Sequence, residues 1–227
     1  MLWWGFFDPM YLIMLLPALA LGLYAQWKVK STFNRYARVP ASSGLSARRL
    51  ARYLLDMAGL SDVRIEQIPG TLTDHYDPRT RTLRLSAPES RSIAVLGVAA
   101  HEVGHAIQHA QAYKPLELRT AIVPAANFGS QLALPLILFG IFFQNPLLVN
   151  VGIIAYSVAV LFTLVTLPVE FDASRRAIRL LRDGGYVNQQ ELVAVKKVLG
   201  AAALTYVAAA AAAILQLLYL LSLSRRR

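Results

Sequence analysis

Three tracts without a charged residue, 9–27, 120–169 and 198–224, limit what this chain can fold into. About 20 apolar residues cross the hydrocarbon core of a bilayer, and in lipid the backbone must satisfy its own hydrogen bonds, as a helix does. The first tract matches one crossing. The second, at about 50 residues, is too long for one crossing and fits two, with Gln144-Asn145-Pro146 as the turn. The third is long enough, although its alanine centre makes it the least hydrophobic of the four. The expectation is a mainly α-helical integral membrane protein with about four transmembrane helices.

Composition agrees. Of 227 residues, 56% are hydrophobic and 16% charged, which argues against an ordinary soluble domain. There is no cysteine, so disulfides, thiol nucleophiles and cysteine-ligated metals are excluded. Any metal must be held by His, Asp or Glu.

The net charge of +10 is distributed in a way that reports membrane orientation rather than nucleic-acid binding. Of the 23 Lys and Arg, 20 lie in two blocks, 28–119 and 175–197, that follow the first and third spans. Both blocks therefore lie on one side, the cytoplasm by the positive-inside tendency, with the N-terminus outside. Four crossings also put Arg225 to Arg227 outside, against the same tendency. The first tract follows Asp8 and no Lys or Arg, so it reads as a retained anchor rather than a signal peptide. Trp3, Trp4 and Trp27 are its interfacial aromatics.

Between the first two spans the chain changes character. "LSARRLARYLLDMAGL" sets Leu50, Tyr53, Leu54 and Met57 at helical spacing and ends at Gly59. "DVRIEQI" alternates as a strand does, and "TLTDHYDPRTRTLRLS" reads as a hairpin around a D-P-R-T turn. Ser86 to Glu89, "SAPE", has the spacing of a capping box opening the next helix.

That helix carries His101-Glu102-Val103-Gly104-His105. Histidines four apart lie one above the other on a helical face and converge on one Zn²⁺ at about 2.0–2.1 Å. Glu102 points about 100° away, so it is not a ligand but a general base for an attacking water. Two core histidines are the alternative, at the cost of burying unsatisfied imidazoles. His109 lies about 12 Å along the axis from His101, too far to join them. Gln108 and Gln111 stand where a third-histidine zinc-protease pattern needs Gly and His. The third ligand is therefore expected to be a carboxylate. Glu170 is the leading candidate, since it follows Pro168 at the end of the third span. Its alternative is an ion pair with Arg175 or Arg176, and Glu117 and Glu89 are weaker choices.

"LTDHYDPRTRTLRLS", "AAHEVGHAIQHA" and "LPVEFDASRRA", in that order among four hydrophobic spans, resemble the YugP-like membrane zinc metallopeptidases, which are distantly similar to HtpX-type membrane proteases. The resemblance covers nearly the whole chain. It implies one Zn²⁺ per chain held by His101, His105 and Glu170, with Glu102 as catalytic acid/base. The distant relatives place an Asp four residues after the ligand glutamate, as a carboxylate supporting the site. Here that position is Ser174, and Asp172 is expected on another side of the helix.

One arm of the hairpin offers an edge, at Asp74, His75 and Tyr76, for an extended substrate. His75 or Tyr76 would donate to the oxyanion, the alternative being that both are ordinary polar residues of a hairpin. The expected organisation is an anchor at 1–27, a cytoplasmic zincin-like α/β catalytic segment at 28–119, and a helical hairpin at 120–169. A cytoplasmic segment with the third ligand at 170–197 and a last transmembrane helix with basic tail at 198–227 complete it. The expected function is a multi-pass cell-membrane zinc endopeptidase acting on polypeptides, unfolded or membrane proteins among them, with the lipid bilayer as partner and no nucleic acid. Arg91, Gln108, His109, Gln111 and Lys114 bracket the motif, which disfavours an active site in a fully apolar span. The non-enzymatic alternative is a membrane scaffold or chaperone-like protein with structural zinc, which needs a fourth ligand.

Overall fold

The computed structural model describes residues 9–225. The order is α1 (Pro9–Tyr36), α2 (Ala47–Met57), β1 (Arg64–Gln67), β2 (His75–Asp77), β3 (Thr82–Leu85), α3 (Ile93–Ala110), α4 (Lys114–Phe142), α5 (Pro146–Asp183) and α6 (Gln189–Arg225). Trp3, Trp4, Asp8, Arg226 and Arg227 lie outside the described residues. The chain forms two compact units.

One unit takes in the chain up to Gln26, Leu118–Leu167 and the stretch from Thr205 onward. It is built from parts of α1, α4, α5 and α6, which among the described residues are the four helices long and apolar enough to cross a membrane. Its outward side chains are what lipid requires: Leu134, Phe139, Phe142, Leu147 and Ile154 are all exposed. Small residues set the helix spacing, because a β-carbon on Gly129 would lie 2.6 Å from the Ala155 carbonyl oxygen. Gln144 adopts φ 51°, and the Asn145 side chain accepts from the Leu147 and Leu148 N–H groups, starting α5. The expected turn is thus present. The fourth apolar stretch, expected to be the least hydrophobic, is a full-length helix of mean hydropathy 2.1, above the 1.5 of α1 and the 1.6 of α4.

The second unit, Trp27–Glu117 with Pro168–Leu204, contains the α/β part. Ser46 caps α2 and Gly59, at φ +72°, ends it. Leu50, Leu54 and Leu55 of α2 pack with Leu96, Ala99 and Val103 of α3 in one core. Tyr53 and Met57, set at helical spacing with Leu50 and Leu54, are exposed, and the buried stripe of α2 is Ala47, Leu50, Ala51, Leu54 and Leu55. The sheet order is β1-β3-β2, with β1 parallel and β2 antiparallel to β3. The hairpin is as expected, and β1 joins it from the other side of β3. β2 is therefore an edge strand.

The expected capping box is not formed. α3 is capped by Ser92, whose hydroxyl accepts from Val95 N–H, and not by a box at Ser86. Ser86 spends its N–H and hydroxyl on Asp74. The segment after it makes a turn, with Ser90 N–H donating to the Ala87 carbonyl, and its Pro88 and Ser90 carbonyls accept from Arg48 and Ala47. The helix that carries the third span continues through Pro168 to Asp183, while the membrane-type unit's part of it ends at Leu167, next to the proline. A proline inside a membrane-type helix is tolerated where neighbouring groups take up the freed backbone.

Candidate metal centre

His101 and His105 sit one turn apart on α3 with ring centroids 4.7 Å apart and ring planes near perpendicular at 85°. Across from them α5 supplies Glu170, which is 3% exposed. Its Oε2 lies 3.3 Å from His101 Nε2 and 3.6 Å from His105 Nε2. The three ligand atoms fall within 4.8 Å of one another. Donors at about 2.0–2.1 Å from one tetrahedral zinc stand roughly 3.3–3.4 Å apart, so the two separations from Glu170 fit that ion. The donor set, two imidazoles and a carboxylate, is also one zinc accepts at catalytic sites.

The close approach of α5 depends on Gly104, inside the motif itself. A β-carbon there would lie 2.7 Å from the Ala173 carbonyl oxygen. Farther along α3, Gly97 faces Val195 of α6. Both ring nitrogens that point away from Glu170 have partners. His101 Nδ1 is 3.1 Å from Ser174 Oγ, and His105 Nδ1 is 3.0 Å from Gln108 Oε1.

Glu102 is buried beside the pair, and burial pushes its carboxyl pKa up, with the two histidines pulling the other way. One of its oxygens accepts the Tyr76 backbone N–H at 3.0 Å, which ties the open edge of β2 to the motif helix. Burial pulls the His105 pKa down, yet the carboxylates of Glu170 and Glu102 outweigh it and the net shift is upward.

The hairpin residues separate by face. Tyr76 reaches α3, its hydroxyl 2.9 Å from His109 Nδ1. His75 places Nδ1 2.9 Å from the Thr73 carbonyl and Nε2 3.4 Å from Arg84 Nη1. The Asp74 carboxylate accepts from Ser86 N–H and hydroxyl at 2.9 and 2.7 Å, fastening the base of the hairpin. Glu89 and Glu117 pair with Arg48 and Lys114.

Asp172, expected on another side of the helix from Ser174, meets Gln108, while Ser174 meets His101. Asp172 Oδ2 accepts from Gln108 Nε2 at 2.9 Å and from Arg176 Nε, so a carboxylate does stand behind the cluster, one residue removed from His105. Gln108 follows His105 by three positions on an apolar helix, and a glutamine on that face was the available signal.

A family model described as "Putative neutral zinc metallopeptidase" matches residues 11–225. The chain belongs to this family. Its similarity to the "Putative membrane protease YugP" of Bacillus subtilis (strain 168) is 48% identity over 211 residues, covering 92% of this chain and 94% of the relative. No solved structure matches it. Membership in a zinc metallopeptidase family, with four membrane-length helices, makes this a membrane protein of protease lineage. The His101, His105 and Glu170 cluster is its candidate zinc site.

Proposed function

We propose that the protein is a membrane-integral zinc endopeptidase in which His101, His105 and Glu170 hold one Zn²⁺ and Glu102 is the general base. The observation that carries this is the position of Glu170 Oε2, 3.3 and 3.6 Å from two imidazole nitrogens, with Glu102 buried beside them. When bound, zinc polarises a scissile carbonyl and makes water more acidic. Glu102 takes a proton from the attacking water and returns it to the leaving amine. The Tyr76 N–H fixes one carboxylate oxygen and leaves the other for that transfer. Its raised pKa places the group closer to the range in which a carboxylate both takes and gives a proton.

Substrate lies extended along the β2 edge, at Asp74, His75 and Tyr76, without using the Tyr76 N–H, which is given to Glu102. Tyr76 is placed ahead of His75 as oxyanion donor, since its side chain reaches α3. Ser174 supports His101. The unit holding the cluster faces the cytoplasm, as its basic blocks imply. A structural zinc in a scaffold needs a fourth protein ligand. Among the described residues the metal-capable group has three members, and the ring nitrogens of His75, the spare histidine, face Thr73 and Arg84. The test is zinc content together with peptide hydrolysis, for wild type and Glu102→Ala purified in detergent. Zinc-dependent cleavage lost in the variant supports the reading; equal cleavage in both, or none in either, removes it.

A further inference from the structure

Gln108 is fully buried on α3, and its amide has a defined orientation. The nitrogen lies 2.8 Å from the Val169 carbonyl oxygen and 2.9 Å from Asp172 Oδ2. Neither of those atoms carries a proton to give, because Asp172 is ion-paired to Arg176 and is a carboxylate. The opposite amide orientation would set Oε1 against two acceptors. Both N–H groups are therefore committed, and Oε1 faces His105 Nδ1 at 3.0 Å purely as an acceptor.

An acceptor-only partner requires that His105 carry its proton on Nδ1. The lone pair is then on Nε2, the atom facing Glu170. We propose that Gln108 is a positioning residue that sets the tautomer and ring orientation of His105 for metal binding, with Asp172 and Arg176 holding the amide in place. Arg176 reaches on to Gln111 Oε1 at 2.6 Å, so the chain of contacts joins α3 to α5 on both sides of the amide. His101 has no equivalent. Its Nδ1 meets the Ser174 hydroxyl, which can turn to donate or accept and so imposes no tautomer. The inference rests on reading His101, His105 and Glu170 as zinc ligands.

The experiment measures zinc affinity of the full chain in detergent, by competition with a chelator, beside thermal unfolding of the zinc-free protein. Gln108→Leu should weaken zinc binding about 10- to 100-fold, the range seen when partners of metal-bound histidines are removed. Asp172→Leu should fall in the same range, and the double variant should be no weaker than Gln108→Leu, because both act through His105. Asp172→Asn, whose side-chain oxygen still accepts from the amide, should stay within a few-fold of wild type. With free zinc buffered at saturation, turnover of Gln108→Leu should recover while its KM is unchanged, which a general loss of structure would not allow. If Gln108→Leu does not fold, the contrast of Asp172→Asn with Asp172→Leu decides. Wild-type zinc affinity in folded Gln108→Leu and Asp172→Leu, with His105→Ala losing zinc, overturns the inference and leaves the zinc site standing. Wild-type affinity in His105→Ala overturns the site itself.

Discussion

The backbone of Gly104 packs so near Ala173 that a β-carbon on residue 104 would lie 2.7 Å from the Ala173 carbonyl oxygen. That oxygen belongs to the backbone of α5, three residues after Glu170, and has no flexible side chain to yield. Gly104→Ala should therefore push α5 outward and draw Glu170 away from the histidines. The expected outcome is an overpacking cost of about 1–3 kcal/mol and a marked loss of zinc affinity, read by thermal unfolding and chelator competition. Full zinc binding in this variant would show that the glycine merely permits the contact and does not set the spacing.

Glu102→Ala should keep stoichiometric zinc and lose hydrolysis of an unfolded protein such as casein by about 10²- to 10⁴-fold, the usual contribution of a general base. Metal analysis and turnover on the same preparation check it. Near wild-type turnover would remove Glu102 from the reaction.

Glu170→Gln should lower zinc affinity sharply while the protein stays folded, because two histidines alone are short of the three protein ligands of a catalytic zinc site. A fragment of residues 28–119 lacks Glu170 and should bind zinc poorly and not cleave. Glu89→Gln and Glu117→Gln are the controls, since their carboxylates pair with Arg48 and Lys114. The assignment fails if Glu170→Gln keeps its zinc and either control loses it.

Orientation is directly testable because the chain contains no cysteine. In intact cells an impermeant maleimide should label Asn145→Cys and not Arg49→Cys. The opposite pattern reverses the proposed topology.

The hairpin turn should show a pH signature. Asp77 accepts hydrogen bonds from the Thr80 hydroxyl, the Arg79 N–H and Arg84, and its pKa is lowered to about 2, the Thr80 bond being the largest cause. The unfolded value is near 3.9, so the folded pKa is depressed. Stability from this group is present above about pH 4 and fades as pH falls towards 2. Asp77→Asn should unfold at a lower temperature at neutral pH, and the gap should close over that acid window. A gap that stays constant down to pH 2 would place the effect elsewhere.

What the sequence alone determined is what short-range physics controls. Charge in lipid is costly, so the uncharged tracts marked the membrane helices, and Asn145 and Pro146 marked the turn between α4 and α5. Helical periodicity put His101 and His105 on one face, and the D-P-R-T turn located the hairpin. The "SAPE" reading failed because a four-residue pattern cannot reveal that Ser86 is already bound to Asp74, twelve residues earlier in the chain. Tertiary structure alone decided the distance from His101 to Glu170, 69 residues apart, and the parallel pairing of β1 with β3. It also decided that Asp172 stands behind His105 through Gln108. Those contacts depend on how closely α3 and α5 approach at Gly104, and on the rotation of each helix about its own axis. Local sequence fixes neither, because both follow from packing the two helices in one core.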